Sequence, residues 1–262
     1  MADFGYFSQK IRNGIDGILC RSMAKRTQKL PAGRYVSLCF DDFPQSAALN
    51  AAPVIEGHGW RATWYVAGGF MGGEEPHYGT MFTEMDLKRL VHMGHDIGCH
   101  TFDHLNCAEA DPEEILAQSD KNSAFLNAHG VTDLQSFAFP FGTASLASKK
   151  LMASTGLALR GVKPGINQGD VDLNMLKACG LQDDQGGLLR ALEELDHLRS
   201  NDGWLIIFTH DVQDTPSPWG VTPEDYEHLV QCIQASGAEV VPVGEMVKRL
   251  EQAGADPVLR AA

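Results

Sequence analysis

The chain has 262 residues, 44% of them hydrophobic, with 21 Lys and Arg against 34 Asp and Glu and a formal net charge of −13 at pH 7. That charge argues against a nucleic-acid partner, which needs a basic surface to displace phosphate counterions. With neither a phosphate-cradling glycine loop nor a dinucleotide fingerprint, a nucleotide-cofactor enzyme is not expected, and the length suits one large α/β domain.

The charge is uneven along the chain. Residues 1–34 hold seven Lys or Arg against Asp3 and Asp16, a local +5 that leaves −18 for the remainder. Ile11, Ile15, Ile18, Leu19 and Met23 recur at helical spacing, so an amphipathic helix with a basic face is predicted over residues 8–26. Such a helix either packs against the main domain or rests on an anionic membrane surface. The first residues lack the apolar core of a secretory signal and no run is long enough to span a bilayer, which predicts a cytoplasmic protein, at most peripheral to the inner membrane surface. Six cysteines (Cys20, Cys39, Cys99, Cys107, Cys179, Cys232) show no paired spacing and read as free, buried thiols.

Strands are predicted at 35–40, 62–66, 136–139, 158–162, 204–209 and 239–242, alternating with helices near 84–93, 112–129, 144–154, 186–199 and 223–236. Thr222-Pro223-Glu224-Asp225 supplies an N-cap with proline at the first helical position, Gly237 closes that helix, and a last helix begins at Gly244. The expectation is an α/β barrel over residues 35–252, preceded by the basic extension of residues 1–34 and followed by a short tail at 253–262. Its active residues are expected at the ends of several strands.

Chemistry-bearing residues follow the apolar runs. Asp41-Asp42 closes the strand of Val36, Leu38 and Phe40. An Asp pair standing alone is usually solvated or a cap. His100-Thr101-Phe102-Asp103-His104 then follows a second apolar and glycine stretch, placing two imidazoles on one helix face or in one tight loop. Phe137-Ala138-Phe139-Pro140-Phe141-Gly142 is a strand end turned by proline and glycine, where a backbone N–H can face a ligand. Trp204-Leu205-Ile206-Ile207-Phe208-Thr209-His210-Asp211 is a buried strand that delivers His210 to the same rim. Two imidazoles and one carboxylate hold a divalent metal while leaving a position for water, and the second carboxylate stays free as a base. The set reads as a metal-dependent hydrolase.

These four elements, in this order, resemble the polysaccharide deacetylase family, the NodB-homology carbohydrate esterases, from about Val36 to about Leu250. The resemblance implies a single distorted (β/α) barrel of about seven strands. Cys39-Phe40-Asp41-Asp42-Phe43-Pro44 is similar to the first family motif, which makes Asp41 the general base and Asp42 a metal ligand. Gly94 through His104 is similar to the second motif, so His100 and His104 complete the triad. Ala62-Thr63-Trp64-Tyr65-Val66 is similar to the second core strand. Phe139-Pro140-Phe141-Gly142 is similar to the third motif, whose aromatic residue, here Phe141, lends a backbone N–H to the oxyanion. Phe208-Thr209-His210 is similar to the fifth, with Phe208 walling the acetyl pocket and His210 as general acid. Phe139, Pro140, Phe208, Trp64 and Trp219 are the expected pocket residues.

The chain departs from the family pattern twice. Many members carry an arginine in the third motif that orients the base, and Ala138 stands there in this chain. Arg160 or Lys177, from the following strands, is the expected replacement. The fourth motif, an Asp and Trp arrangement, has no clean counterpart, and Asp170 or Asp172 is the nearest candidate to orient His210, with Asp211 beside it. The implied function is removal of N-acetyl groups from an amino-sugar glycan or glycan precursor, using one divalent metal. Zn²⁺ suits the donors best, although Fe²⁺, Co²⁺ and Ni²⁺ accept the same set. A metal-dependent amidase on a small amide or ureide is the alternative, and a non-catalytic glycan-binding relative is another.

Overall fold

The structure is a computed structural model that describes residues 18–20, 22–182 and 186–255. In chain order the strands are β1 (Thr27–Lys29), β2 (Arg34–Asp41), β3 (Thr63–Val66), β4 (Glu74–Glu75), β5 (Gly79–Thr80), β6 (Asp96–Cys99), β7 (Ser136–Ala138), β8 (Ala158–Arg160), β9 (Asp170–Asp172), β10 (Cys179–Gly180), β11 (Gly203–Thr209) and β12 (Glu239–Val240). The helices are α1 (Gln45–Asn50), α2 (Ala52–Gly57), α3 (Glu84–His92), α4 (Pro112–Ala128), α5 (Leu146–Ala153), α6 (Gly187–Arg199), α7 (Pro223–Ser236) and α8 (Val243–Ala255).

Apolar runs flanked by helical segments give strands buried on both faces, as parallel sheets require. Seven strands lie in the order β10-β11-β2-β3-β6-β7-β8, all parallel, and β12 pairs beside the start of β2. The sheet curls into a half barrel of the (β/α) type. Alternation along the strands divides the core in two. Val36, Leu38, Phe40, Trp64, Leu205 and Ile207 pack outward against Leu87, Leu90, Leu195, Leu229 and Ile233 of the helices. Cys39, Tyr65, Ala138, Trp204, Ile206 and Phe208 fill the interior, which Met246, Val247 and Leu250 of α8 close.

Local chemistry sets the helix ends. Thr83 and Asp86 form a reciprocal capping box at the start of α3. The Thr222 hydroxyl accepts from the Asp225 N–H at the start of α7, and Gly237 ends that helix at φ 67°.

Strand β6 escapes the sequence pattern because Gly98 sits in its middle. A Cβ there would lie 2.4 Å from the Tyr65 ring, so close approach demands glycine. The predicted basic helix over residues 8–26 and the tail beyond Ala255 fall largely outside the described residues. From Thr27 the chain forms β1, antiparallel to β9. Just before it, the buried Lys149 ammonium donates to the carbonyls of Cys20 at 2.5 Å and Met23 at 2.9 Å and faces Asp172 at 3.2 Å, tying this segment to α5. Among the described residues no helix is long and apolar enough to cross a membrane. Among the described residues the six cysteines form no disulfide, and five of them are buried.

Candidate active site

Strand β2 ends at Asp41, and continued β geometry would send Asp42 to the opposite face. Instead Asp42 and Phe43 adopt left-handed conformations, φ 62° and 68°, and the Phe43 N–H donates to the Asp41 carbonyl at 2.6 Å. The chain turns at once, and both carboxylates line one cleft. Thr101 (57°), His104 (51°) and Phe141 (57°) are left-handed as well, so five of the six non-glycine residues with positive φ among the described residues follow the ends of β2, β6 and β7. Each such conformation costs of order 1–3 kcal/mol and persists only where its surroundings over-determine it.

His100 follows β6 directly and His104 lies in a tight loop, not on a helix. The loop is held by the Leu105 N–H donating to the Thr101 hydroxyl at 2.9 Å. His100 Nδ1–H donates to the Ala138 carbonyl at 2.8 Å, which fixes the tautomer and leaves the Nε2 lone pair facing inward. That Nε2 stands 3.3 Å from Asp42 Oδ1, and His104 Nε2 stands 3.1 Å from the same oxygen. The ligand atoms of Asp42, His100 and His104 all lie within 4.8 Å of one another.

Asp42 Oδ1 is buried with no well-formed hydrogen bond. The oxygen and the two imidazole nitrogens converge on one point, and one carboxylate with two imidazoles is a donor set that divalent metals accept. The residues therefore fit a divalent metal, as the resemblance implies. Burial would raise the Asp42 carboxyl, but the imidazoles of His100, His104 and His210 outweigh it and hold the group well below the ordinary carboxylate range. Burial pushes His104 down to about 4, which keeps it neutral, as a ligand must be.

Asp41, only 3% exposed, meets a different partner. The Arg160 Nη2 donates to both of its carboxylate oxygens at 2.5 Å. Arg160 is the last residue of β8, is fully buried, and passes between the rings of Tyr65 and Phe208, each 4.9 Å from its guanidinium carbon. Its Cα partner on β7 is Ala138. The cation therefore crosses the interior of the half barrel from the edge strand β8 to the end of β2. Burial disfavours its charge, yet the neighbouring Asp41 raises the guanidinium further.

His210 follows β11, whose Thr209 is the register partner of Phe40 on β2. Its Nε2 lies 3.8 Å from Asp42 Oδ2, and its Nδ1–H donates to the Trp219 carbonyl at 3.2 Å. The cleft holds about 560 Å³ and is lined by Asp41, Asp42, His100, His104 and His210, with Phe141, Val162, Phe208, Trp219 and Tyr78 as its apolar walls. Phe141, at 62% exposure, overhangs the rim with its ring 4.5 Å from that of His104. A side chain at Gly142 beside it would be strained, because φ is 65° and a Cβ there would lie 2.2 Å from Val162.

The family model described as Polysaccharide deacetylase matches residues 28–159, half of the chain. The chain belongs to the polysaccharide deacetylase family. No curated protein matches by sequence. The fold is similar to a family 4 acetyl xylan esterase from Clostridium thermocellum in complex with a cobalt ion, at 20% identity and TM-score 0.58, over 82% of this chain and 91% of that one. It is also similar to the chitin deacetylase of the fungal pathogen Colletotrichum lindemuthianum, at 15% identity and TM-score 0.57, over 84% and 89% of the two chains. A family 4 pseudoenzyme from Bacillus anthracis matches at 14% identity and TM-score 0.58, over 83% of this chain and 66% of that one. At these identities the likeness is one of fold.

Several expected pocket and support residues of this deacetylase-family chain stand elsewhere. Trp64 lies on the outward side of β3, fully buried and stacked on Phe40 at 4.3 Å, so it is core and not pocket. Phe139 and Pro140 are likewise buried, Phe139 packing edge-on to Phe137 at 5.2 Å. Lys177 donates from Nζ to the Ile166 carbonyl instead of reaching Asp41. Asp170 and Asp172 belong to β9, where Asp172 accepts from the Arg26 N–H at 2.9 Å; neither takes the His210 Nδ1–H, which the Trp219 carbonyl receives. Asp211 is buried and accepts from the Ser217 hydroxyl, the Ser217 N–H and Gln213, bracing the loop that carries Trp219.

Tyr78, which stacks on His210, belongs to no motif in the sequence. It sits in a hairpin of two-residue strands, too short to show a period.

Proposed function

We propose that this deacetylase-family chain is a metal-dependent hydrolase that removes N-acetyl groups from an amino-sugar-containing glycan or glycan precursor, leaving a free amine and releasing acetate. The observation that carries the reading is the separation of its two adjacent carboxylates. Asp42 converges with His100 and His104, whereas Asp41 is held apart on Arg160. A binding protein has no use for that division of labour, and this argues against a non-catalytic relative.

Asp42, His100 and His104 are the residues that would hold the metal. When bound, a divalent metal, with Zn²⁺ the best match to these donors, supplies Lewis acidity to an acetyl carbonyl and to water. Asp41 is placed in the role of base and takes the proton of the attacking water. Arg160 fixes the direction of that carboxylate by donating to both of its oxygens. The Phe141 backbone N–H, presented by the left-handed turn, is assigned to the oxygen on which charge develops. His210 is assigned the role of acid. Because its Nδ1–H is engaged by Trp219, the proton it delivers to the departing nitrogen leaves from Nε2. An amine anion is a poor leaving group, and a positioned acid is worth roughly 10²–10⁴-fold.

The test is acetate release from a panel of N-acetylated sugars, oligomers and nucleotide sugars, run beside Asp41→Ala and beside chelated protein. Release that disappears in both controls, and returns when the metal is restored, supports the reading and ranks the substrates. No release at stoichiometric bound metal overturns it.

A further inference from the structure

The ribbon formed by β4 and β5 stands outside the sheet. Two-residue strands make a marginal hairpin in water, and most of its residues are exposed. Beside the half-buried Glu75, Tyr78 is an exception. It turns inward, half-buried, and its ring lies face to face on His210, with centroids 5.5 Å apart and planes at 13°.

The same ring meets Trp219 edge-on at 6.0 Å, and His77 meets Trp219 edge-on at 5.0 Å. Trp219 in turn supplies the carbonyl that takes the His210 Nδ1–H. One hydrogen bond at 3.2 Å fixes an edge of an imidazole but leaves its plane free to rotate about that bond. A stacked ring removes that rotation. The nearest carboxylate in sequence, Asp211, is engaged by Ser217 and Gln213.

We propose that Tyr78 is a positioning residue for His210: its ring, carried by the β4–β5 hairpin, holds the imidazole plane so that Nε2 faces the leaving group. The inference rests on the reading of His210 as the general acid. Tyr78 and Asp42 line the same cleft, so Tyr78→Phe separates any effect of the hydroxyl from that of the ring.

The test compares two acetyl donors of unequal need for an acid. A sugar N-acetyl amide needs its leaving nitrogen protonated, whereas an aryl acetate leaves as a stable phenolate without that help. Wild type, Tyr78→Ala, Tyr78→Phe, His210→Ala and Tyr78→Ala/His210→Ala are assayed at matched metal content. Tyr78→Ala is expected to lower kcat on the amide by about 10²-fold, the effect of a misplaced catalytic group, and to lower aryl acetate turnover by much less. Tyr78→Phe is expected to restore the amide rate, and the double variant to be no worse than His210→Ala.

Equal losses on both donors in Tyr78→Ala, or an additive double variant, would overturn the proposal. The contact is also read without turnover, from the ring-current shift of the His210 ring protons in NMR spectra of the whole protein. Those resonances are expected to move downfield in Tyr78→Ala and to stay in Tyr78→Phe. A chain inactive on every amide but with this shift intact refutes the proposed function while keeping the positioning contact; unmoved resonances refute the contact itself.

Discussion

Replacing Arg160 with Met probes the most costly interaction in the site. Methionine keeps much of the length and apolar contact with Tyr65 and Phe208 but removes the cation that bonds both Asp41 oxygens. Asp41 and Arg160 are both almost fully buried, so solvent screening offers little relief. Breaking a buried pair by deleting one partner costs about 3–5 kcal/mol, because the other charge is left uncompensated. At roughly 2–4 °C per kcal/mol for a chain near this size, Tm is expected to fall by roughly 6–20 °C.

Adding Asp41→Asn removes the stranded charge and is expected to return most of that loss, a coupling that a double-mutant cycle reads directly. Thermal and urea unfolding of the four metal-free proteins supply the numbers. Acetate release by Arg160→Met is expected to drop by at least about 10²-fold, the low end of a general base's contribution, since the carboxylate loses the partner that fixes its direction. Arg160→Met with Tm within about 3 °C of wild type and no recovery from Asp41→Asn would refute the argument that this ion pair holds the base.

Two further outcomes follow from the same geometry. The folded protein holds His104 near 4, below the ordinary ~6.5 of an unfolded histidine. Between those values the unfolded chain binds the extra proton, so stability rises with pH across this window and is lost as pH falls from about 6.5 toward 4. In urea unfolding of the metal-free protein, the drop between pH 7 and pH 5 is expected to be smaller for His104→Gln than for wild type; an equal drop would count against the burial of that imidazole. Gly98→Ala places a methyl 2.4 Å from the Tyr65 ring, an overpacking expected to cost about 1–3 kcal/mol. It is also expected to lower turnover through the Tyr65 ring that flanks Arg160, and a variant as stable as wild type would show that the ring can yield.

The parts of this fold legible in sequence are those where one local signal dominates. Val36–Phe40 and Trp204–Thr209 are apolar enough to be strands in any context, and Thr222-Pro223 with Gly237 brackets α7 by cap chemistry alone. β6 was not legible as a strand, because Gly98 answers to a ring on the next strand and not to its own neighbours in sequence. Trp64 illustrates the opposite failure. An aromatic residue close to motif residues reads as pocket lining, yet the register of β3 assigns the inward side to Tyr65 and turns Trp64 to the helices. Tyr78 carries no signal of its own, since it reaches His210 through a hairpin whose place is set only in three dimensions.

The cation at Asp41 shows why motif position and chemical role come apart. Ala138 and Arg160 are register partners on adjacent strands, so a guanidinium arising from β8 starts only one strand away from one arising from β7. In a flat sheet that displacement would carry it farther from β2. In a half barrel the curl turns β8 back toward the centre, and a long side chain there spans the interior. The small Ala138 side chain belongs to the same interior cluster as Tyr65 and Phe208, the two rings between which Arg160 passes. What the proposed chemistry requires is a fixed positive charge bonded to the Asp41 carboxylate. That requirement is met by position in space, and a residue outside the motif satisfies it once the sheet is curved.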